Sequence, residues 1–401
     1  MAPLSGVLVL DLSRVLSGPY ATQQLIDLGA RVLKIEEPDR GDDTRGFGPP
    51  FTGGESTYFM SINRGKESVA VDLKHPEGVA LIRRLAAKAD VVIENFRPGT
   101  AERLGLSLAE LRRERPALIT CSISGYGADG HPDFAGRPGY DAVIQAASGL
   151  MALTGAVDGP PARFGVAIAD LVTGLFAAQG VLAALYLRER TGRGQHVEVT
   201  MQEAMAALLT YQAGIYFATG KSPPRMGDAH PSICPYESLA TKDGLLMLAV
   251  GNDAQFVRLT KLLGLPALAT DPRFSTNRAR VTHRPALLAE LKPKFLERSS
   301  EEWDRLLSQE GVPAGPVLDV AQALDHPQLA ARGTLTEVEH PTAGRLRAVR
   351  SPVRLQDEAA AALPPPLLGQ HTTSVLAEIL GLSAEELALL GTAGTVGRRS
   401  K

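Results

Sequence analysis

The chain has 401 residues, 42 of them basic and 44 acidic, with a formal net charge of -2. This length exceeds what one hydrophobic core usually organises, so we expect two domains. The balanced charge argues against nucleic acid and an anionic membrane as partners. Two cysteines, Cys121 and Cys234, argue against a disulfide scaffold or a cysteine-based zinc site. The N-terminus lacks the pattern of a signal peptide, so we expect a soluble cytoplasmic protein.

The first 125 residues alternate between strand-like and helix-like segments. The strand-like runs are apolar and rich in β-branched residues, at 7–12, 31–36, 68–73, 90–95 and 118–124. The helix-like segments between them cover 18–30, 76–89 and 100–116. Such alternation predicts βαβ units and a parallel sheet that is buried on both faces. The expected fold class is α/β, with a Rossmann-like N-terminal part.

The next part of the chain is dominated by two long apolar segments. The first, 165–188, is interrupted only by Asp170, Thr173 and Gln179, and it predicts a buried helix rather than a membrane span. A turn and a strand follow over 190–199, and a second long helix is predicted over 201–220.

The C-terminal half predicts a separate, smaller unit. A proline-marked segment at 221–235 precedes a hairpin around Lys242, Asp243 and Gly244. Further helices are predicted at 254–264, 284–297, 301–309 and 372–381, before a basic tail at 397–401 that we expect to be disordered. We therefore expect a large domain over 1–200 with a C-terminal return over about 341–401, a helical linker over 201–224, and a small α+β domain over 225–340.

Several common catalytic motifs are missing from the sequence. The segment after the first strand lacks G-x-G-x-x-G, and no P-loop follows any strand, which argues against NAD and ATP. The eight histidines make no H-E-x-x-H spacing, so the sequence predicts no metal site. No G-x-S-x-G elbow is present, which disfavours an α/β-hydrolase.

Asp170 is the single charge in its apolar run, and two interpretations are open. As a preferred N-cap residue it would open a helix over 171–189. A carboxylate at a helix N-terminus, with small neighbours that admit a bulky ligand, is also a competent nucleophile for acyl chemistry. The two roles are compatible.

Basic side chains follow several of the predicted strands, and ligands bind at the carboxyl ends of strands in parallel sheets. Cations there suit a phosphate-bearing ligand, whereas the alternative is that most are loop charges in solvent. The residues concerned are Arg45, Arg64, Lys66, Lys74, Arg97 and Arg103. Asp141 precedes a further predicted helix, where the plain expectation is that it serves as an N-cap.

Long stretches of the sequence resemble the class III CoA-transferases. They include "LDLSRVLSGPYATQQLIDLGARVLKIE", "NRGKESVAVDLKHPEG", "ENFRPGTAERLG", "GYDAVIQAASGLM", "VAIADLVTGLFAAQGVLAALYLRERTGRGQHVEV" and "PPPLLGQHT". Within that family, "GDDTRGFGPPF", "ESTYF" and "PPPLLGQHTT" are most similar to succinate–hydroxymethylglutarate CoA-transferase and related dicarboxylate enzymes. The resemblance implies an interlocked homodimer, CoA and acyl-CoA as substrates, and no permanently bound cofactor or metal.

The resemblance also implies site residues and a reaction. Asp170 is expected to be the nucleophile, forming an aspartyl anhydride and then an aspartyl-CoA thioester, with succinyl-CoA as donor and a dicarboxylate as acceptor. The implied CoA contacts are Leu16, Ser17, Val71, Asp72, Leu73, Lys74, Asn95, Phe96, Arg97, Arg103, Arg137, Gly139, Tyr140 and Asp141.

Two alternative functions stand beside this one. An α-methylacyl-CoA racemase resembles the chain but carries histidine in a Gly-His-Asp motif, where this sequence has Gly139, Tyr140 and Asp141. A tyrosine with an ordinary pKa near ~10 is a poor base at neutral pH, so racemisation is disfavoured. The other alternative is a CoA-binding protein without turnover.

Overall fold

The computed structural model describes residues 2–355 and 362–397. Beyond Gly397, the basic tail that was expected to be disordered lies outside the described residues. The chain divides into two compact units. The large unit comprises 1–150, 164–218 and 330–401, and the small unit comprises 151–163 and 219–329. The finer sequence-based division, with a linker over 201–224, stays a prediction.

The elements are numbered in chain order. The strands are β1 Leu8–Asp11, β2 Arg31–Glu36, β3 Phe51–Thr52, β4 Glu55–Ser56, β5 Glu67–Ala70, β6 Val91–Glu94, β7 Ile119–Ser124, β8 His196–Thr200, β9 Tyr236–Ala240, β10 Leu245–Ala249, β11 Ala314–Pro316, β12 Leu335–His340 and β13 Gly344–Val349. The helices are α1 Ser17–Asp27, α2 Thr57–Ile62, α3 Pro76–Ala86, α4 Thr100–Arg103, α5 Leu108–Glu114, α6 Asp141–Ala147, α7 Leu150–Leu153, α8 Ile168–Thr191, α9 Met201–Leu208, α10 Thr210–Thr219, α11 Asp253–Leu262, α12 Asn277–Thr282, α13 Arg284–Phe295, α14 Ser300–Gln309, α15 Val320–Leu324, α16 Pro327–Ala331, α17 Thr372–Leu380 and α18 Ala384–Thr392. Two 3-10 turns cover Asp43–Gly46 and Pro266–Ala269.

The parallel sheet predicted from the N-terminal alternation is confirmed. Within the described part of the large unit, six strands pair in the order β5-β2-β1-β6-β7-β8, and every pairing is parallel. Counted along the chain this is the order 3-2-1-4-5-6 of Rossmann folds. The direction of winding reverses between β1 and β6, and in such sheets ligands bind outside the carboxyl ends of the strands at that point.

Both faces of this sheet are covered, which explains the unbroken apolar strands. Val9 points into a core formed with α1 and α8, whereas its neighbour Leu10 points into a core formed with α3, α17 and α18. Because successive residues of a strand face opposite sides, apolar residues are favoured at every position when both sides are buried.

Helix α8 contributes to the first of these cores. Its residues Ala177, Val181 and Leu185 are buried there beside the strands. By length and composition alone, α8 could cross a membrane. The most apolar 18 residues of the helix have a mean hydropathy of 1.7, and 44% of them are buried. A core helix passes the same test, and one face of α8 packs in the core described above.

Two helices that the sequence predicted as single segments are each interrupted. The segment 100–116 forms α4 and α5, separated by Gly105 with a φ of 74°. The segment 201–220 forms α9 and α10, because Thr210 adopts a φ of 37°. A left-handed residue cannot continue a right-handed helix, so the chain turns at both places.

The small unit has its own antiparallel sheet, in the order β11-β10-β9. The predicted hairpin around Asp243 is confirmed, since Leu245 pairs with Ala240 across the turn. Helices α11, α13 and α14 bury Phe256, Leu291 and Trp303 in a core with these strands.

Candidate active site

A cavity of about 320 Å³ lies at the carboxyl edge of the parallel sheet in the large unit. Its walls come from the segments that follow β1, β6 and β7, from the loop before α6, and from the first turn of α8. It lies where the winding of the sheet reverses, which is the position expected for a ligand site in this fold.

The structure places eight of the predicted site residues along this one cavity. They are Ser17, Asn95, Phe96, Arg97, Arg137, Gly139, Tyr140 and Asp170. Leu16 is buried just before α1, and Asp141 is buried behind the cavity wall. Residues 71–74 and Arg103 do not line it. Eight of the predicted residues thus lie together at this cavity, whereas 71–74 and Arg103 lie outside its lining.

Sequence reasoning missed other residues of the same cavity. Arg14, Val15 and Asp43 follow the ends of β1 and β2, and Ser124 ends β7. The rule that ligands bind beyond the carboxyl ends of parallel strands pointed to these loops. It did not tell which side chains in them turn toward the cavity.

Asp170 lies in the first turn of α8, and the prediction that it is the N-cap of this helix is wrong. The helix begins at Ile168 with Ala167 at the cap position, and Ala167 makes no side-chain cap. The cap comes instead from Asp141, whose Oδ1 accepts a hydrogen bond from the Ala169 backbone N–H at 2.8 Å. The prediction that Asp141 caps its own helix is also wrong. Tyr140 occupies the cap position of α6, and Asp141 is the first residue of the helix.

Two glycine contacts bring the walls of the cavity together. A Cβ added at Gly174 of α8 would lie 2.6 Å from the Ser17 carbonyl oxygen, so glycine lets the start of α1 pack closely against α8 near Asp170. A Cβ at Gly125 would lie 2.6 Å from the Gly139 Cα, so the loop before α6 crosses the end of β7 at backbone distance. Any other residue at either place would force these segments apart.

The environment of Asp170 disfavours its charged form. Burial first, and the nearby Asp141 carboxylate second, raise the pKa of Asp170 to about 7, while hydrogen bonding from the Ser17 hydroxyl and backbone N–H opposes the rise. Burial, followed by the charges of Asp170 and Asp141, likewise raises the pKa of Tyr58 to about 12. Asp170 is thus a carboxylate of unusual basicity beside a protonated tyrosine.

The loop between β1 and α1, which carries Val15 and Ser17, is held in a strained conformation. Val15 has a φ of 67°, which is rare for a β-branched residue. Its backbone N–H donates to Asp42 Oδ2 at 3.2 Å. The adjacent Arg14 is fixed by Asn95, which accepts from the Arg14 N–H at 2.8 Å and donates to its carbonyl at 2.7 Å. Strain maintained by such contacts is typical of functional sites.

Three of the cations considered for a phosphate ligand have another role. Arg45 pairs with Glu36 at 2.7 Å, Arg64 with Asp27 at 2.7 Å, and Lys66 with Asp11 at 3.1 Å. All three side chains are buried or nearly so, therefore they are neither solvated loop charges nor accessible to a ligand. The cations that do line the cavity are Arg14, Arg97 and Arg137.

The arrangement combines an accessible basic carboxylate with arginines that suit anionic groups. The N-termini of α1, α6 and α8 meet beside it, and each favours negative charge. Among residues 2–355 and 362–397, no group of three or more His, Cys, Asp or Glu side chains is placed to hold a metal ion.

The sheet and its cavity are those of a Rossmann-like α/β protein, a class in which ligands bind at the carboxyl edge of the strands. The family model described as CoA-transferase family III matches residues 4–372. The chain therefore belongs to this family of enzymes.

Similar proteins and a similar crystal structure support this family assignment. The chain is 43% identical to human "Succinyl-CoA:glutarate CoA-transferase" over 395 residues, 98% of this chain and 90% of that protein. It is 43% identical to "Succinate--glutarate CoA-transferase" of Agrobacterium fabrum over 385 residues, 94% of this chain and 96% of that protein. The crystal structure of a CaiB/BaiF family protein from Brucella suis matches with a TM-score of 0.84 and 43% identity, covering 94% of this chain and 99% of that one.

Proposed function

We propose that the protein transfers CoA from succinyl-CoA to a free dicarboxylic acid, with Asp170 as the nucleophile. The observation that carries the proposal is a carboxylate at the wall of the cavity whose pKa is raised to about 7 by burial and by Asp141. Such a group is half ionised near neutral pH and more nucleophilic than an ordinary carboxylate.

In the first half-reaction, an Asp170 oxygen attacks the thioester carbonyl of the donor. The C–S bond breaks, CoA leaves as a thiolate, and a mixed anhydride joins Asp170 to the acyl group. The thiolate then attacks the Asp170 carbonyl carbon of this anhydride. The donor acid leaves as a carboxylate, and an aspartyl-CoA thioester remains.

The second half-reaction is the reverse sequence with the acceptor. The acceptor carboxylate attacks the aspartyl-CoA carbonyl and releases the thiolate, which gives a new anhydride. The thiolate attacks the acceptor's carbonyl carbon, so the product is its CoA thioester and Asp170 is free again. One activated acyl group replaces another of similar energy, so no further reactant is required.

The neighbours of Asp170 suit the charges that develop in these steps. The Ser17 backbone N–H and hydroxyl, at the N-terminus of α1, interact with the Asp170 carboxylate. When that carboxyl is acylated they are available to the carbonyl oxygen, and one such donor is typically worth about 10²–10³ in rate. Arg14, Arg97 and Arg137 supply positive charge for a carboxylate or a phosphate. Residues 71–74 and Arg103 stay predicted CoA contacts.

The choice of a dicarboxylate rests on relatives. The human and Agrobacterium fabrum proteins, both 43% identical, are named for succinyl-CoA or succinate and glutarate. A relative from Chloroflexus aurantiacus, 36% identical, is named "Succinyl-CoA--D-citramalate CoA-transferase". Succinyl-CoA is common to most of these names, so we propose it as donor, with glutarate as the first acceptor to test.

We also propose that two chains form the interlocked homodimer implied by the family resemblance. Helix α10 is apolar, yet none of its described residues is buried, and Phe217 is 80% exposed. On α8, Leu175, Phe176 and Tyr186 are likewise exposed. Apolar faces of this extent mark interaction surfaces. A cytoplasmic location, expected from the sequence, is part of the same proposal.

The proposal is tested by replacing the nucleophile. Asp170→Asn is expected to reduce succinyl-CoA:glutarate transfer by about 10⁴-fold or more, since the covalent route is lost. Asp158→Asn, at an exposed loop position of the small unit, is the matched control and keeps wild-type turnover. Near-full activity of Asp170→Asn would refute the proposal.

A further inference from the structure

The loop between β1 and α1 is anchored from two sides by side chains of other segments. Asn95, which follows β6, has both polar atoms of its amide on Arg14. Its Oδ1 accepts from the Arg14 backbone N–H at 2.8 Å, and its Nδ2 donates to the Arg14 carbonyl at 2.7 Å. Asp42, which follows β2, accepts from the Val15 backbone N–H at 3.2 Å. The main chain at 14–15 is therefore fixed to two other loops of the large unit.

These anchors hold a conformation that the loop would not keep without them. Val15 has a φ of 67°, and a left-handed backbone is an outlier for a β-branched residue. Asp42 is buried, and Lys34 Nζ donates to its Oδ2 at 2.8 Å. A buried ion pair thus fixes the acceptor for the Val15 N–H. A strained residue persists only where its surroundings determine its conformation in this way.

The conformation of the loop matters most at Ser17, two residues beyond Val15. Ser17 opens α1, and its hydroxyl and backbone N–H are hydrogen-bonded to the Asp170 carboxyl group. Both residues line the cavity. Gly174 brings α8 against the start of α1, since a Cβ there would lie 2.6 Å from the Ser17 carbonyl oxygen. Only one residue separates Val15 from Ser17, so a change of the backbone at Val15 moves the donors that face Asp170.

We infer that Asn95 is a positioning residue of the transfer reaction, because it holds the strained loop that presents the Ser17 donors to Asp170. This inference rests on the proposed function. The family resemblance implies a CoA contact for Asn95, yet each polar atom of its amide is engaged with the main chain of Arg14. A misplacement of about 1 Å at the reacting groups costs on the order of 10²-fold in rate. Loss of the Asn95 amide should therefore lower kcat and leave the binding of succinyl-CoA nearly unchanged.

The main experiment measures kcat and KM for succinyl-CoA:glutarate transfer in Asn95→Leu and in a matched control, Asn277→Leu. Asn277 makes the same kind of contact in the small unit, where its Oδ1 accepts from the Cys234 backbone N–H at 3.1 Å and its Nδ2 donates to the Ser232 carbonyl at 2.9 Å. Each variant removes an amide that anchors a loop at two backbone atoms, so a general loss of stability is common to both.

The two variants should differ in turnover. We expect kcat to fall about 10²-fold in Asn95→Leu, with the KM for succinyl-CoA within about threefold of wild type. Asn277→Leu should keep the wild-type kcat. A rise in KM with kcat unchanged in Asn95→Leu would show that its amide contacts CoA directly, and an equal fall of kcat in both variants would show a general effect of stability. Either result would overturn the inference.

A second substitution tests whether Asn95 acts through the strained residue. Glycine adopts a left-handed backbone without the steric cost that a β-branched residue bears. Val15→Gly should therefore restore the kcat of Asn95→Leu by about tenfold, because the loop then keeps its shape with one anchor fewer. A direct contact between Asn95 and the ligand would not be replaced by this change. If Val15→Gly alters kcat by the same factor in the wild-type and Asn95→Leu backgrounds, the inference is overturned.

Two further variants complete the experiment. Asn95→Ser guards against failure of Asn95→Leu to fold: serine is small and too short to reach both Arg14 atoms, so the same fall of kcat at nearly constant KM is expected. Wild-type kcat in Asn95→Ser would overturn the inference. Asp170→Asn is measured in the same assay, and retained activity there would refute the proposed function. An effect of Asn95→Leu on KM alone overturns only the role of Asn95, so the two failures are distinct.

Discussion

Two groups of buried charges in the large unit differ in the charge of their neighbours. Beneath the loop between β1 and α1, Lys34 pairs with Asp42 at 2.8 Å and Lys66 pairs with Asp11 at 3.1 Å, with all four side chains at 0% exposure. At the cavity, Asp170 faces another carboxylate, Asp141, and its pKa is raised to about 7. The paired charges hold the loop in place, whereas burial together with a neighbouring carboxylate makes the Asp170 carboxyl group unusually basic. Burial of a charge is therefore no guide to its role until its partner is known.

The largest effect is expected from breaking a compensated pair. Lys34→Met leaves the Asp42 carboxylate buried without its cation, and we expect a loss of about 3–5 kcal/mol in unfolding free energy. Urea unfolding measures this loss. The control is Lys294→Met, which breaks a surface ion pair between Lys294, on α13, and Glu297, just beyond the end of that helix. It should change stability by less than about 1 kcal/mol. Equal effects of the two variants would contradict the comparison.

Removing the charge of Asp170 should have the opposite effect on unfolding stability. The folded-state pKa of Asp170 is raised from 3.8 to about 7, so the folded chain holds this proton to higher pH than the unfolded chain does. Stability therefore falls as the pH rises through that window, and Asp170→Asn abolishes the fall. We expect the variant to be more stable than wild type by about 2–4 kcal/mol at pH 8, with no gain below about pH 4. Thermal unfolding against pH checks this, and a destabilised variant at pH 8 would disprove it.

A smaller loss should follow from disturbing the contact that brings Ser17 to Asp170. In Gly174→Ala the new Cβ would lie 2.6 Å from the Ser17 carbonyl oxygen, so α1 and α8 must move apart. We expect a loss of about 1–3 kcal/mol in stability, as for other overpacked cores. Urea unfolding of Gly174→Ala and Gly174→Val should give a graded series, with Val the worse. Wild-type stability in both variants would show that the close packing is dispensable.

The smallest effect concerns the wild-type enzyme and needs no substitution. With the pKa of Asp170 raised to about 7 by burial and Asp141, the nucleophile is protonated at lower pH. Below about pH 6, kcat/KM for succinyl-CoA should fall about tenfold per pH unit, because only the ionised form attacks. A pH–rate profile measures this. An acid limb near the ordinary aspartate pKa, about 4, would show that the cavity does not raise the basicity of Asp170.

Local pattern predicted most of the sheet. The apolar runs such as 7–12 and 118–124 became β1 and β7 because a strand buried on both faces has one simple signature. The position of the cavity also followed from the parallel sheet, and eight of the residues implied by the family resemblance line it.

Partners that are distant in the chain account for what the sequence missed. The cap of α8 comes from Asp141, 28 residues before Ala169, so the start of the helix was placed at 171 instead of Ile168. Lys66 pairs with Asp11, 55 residues away, and its burial was not visible in a loop motif that is rich in polar residues. Such contacts depend on the fold, so no local window predicts them.

The central claim, that the Asp170 carboxylate forms a covalent bond with the acyl group and then with CoA, is tested most directly by trapping. The enzyme is mixed with succinyl-CoA, quenched with hydroxylamine or borohydride, and digested for mass spectrometry. The account predicts a hydroxamate or a reduced side chain at Asp170, absent from Asp170→Asn and from enzyme without succinyl-CoA. A modification at another residue, or none in an enzyme that turns over, would contradict it.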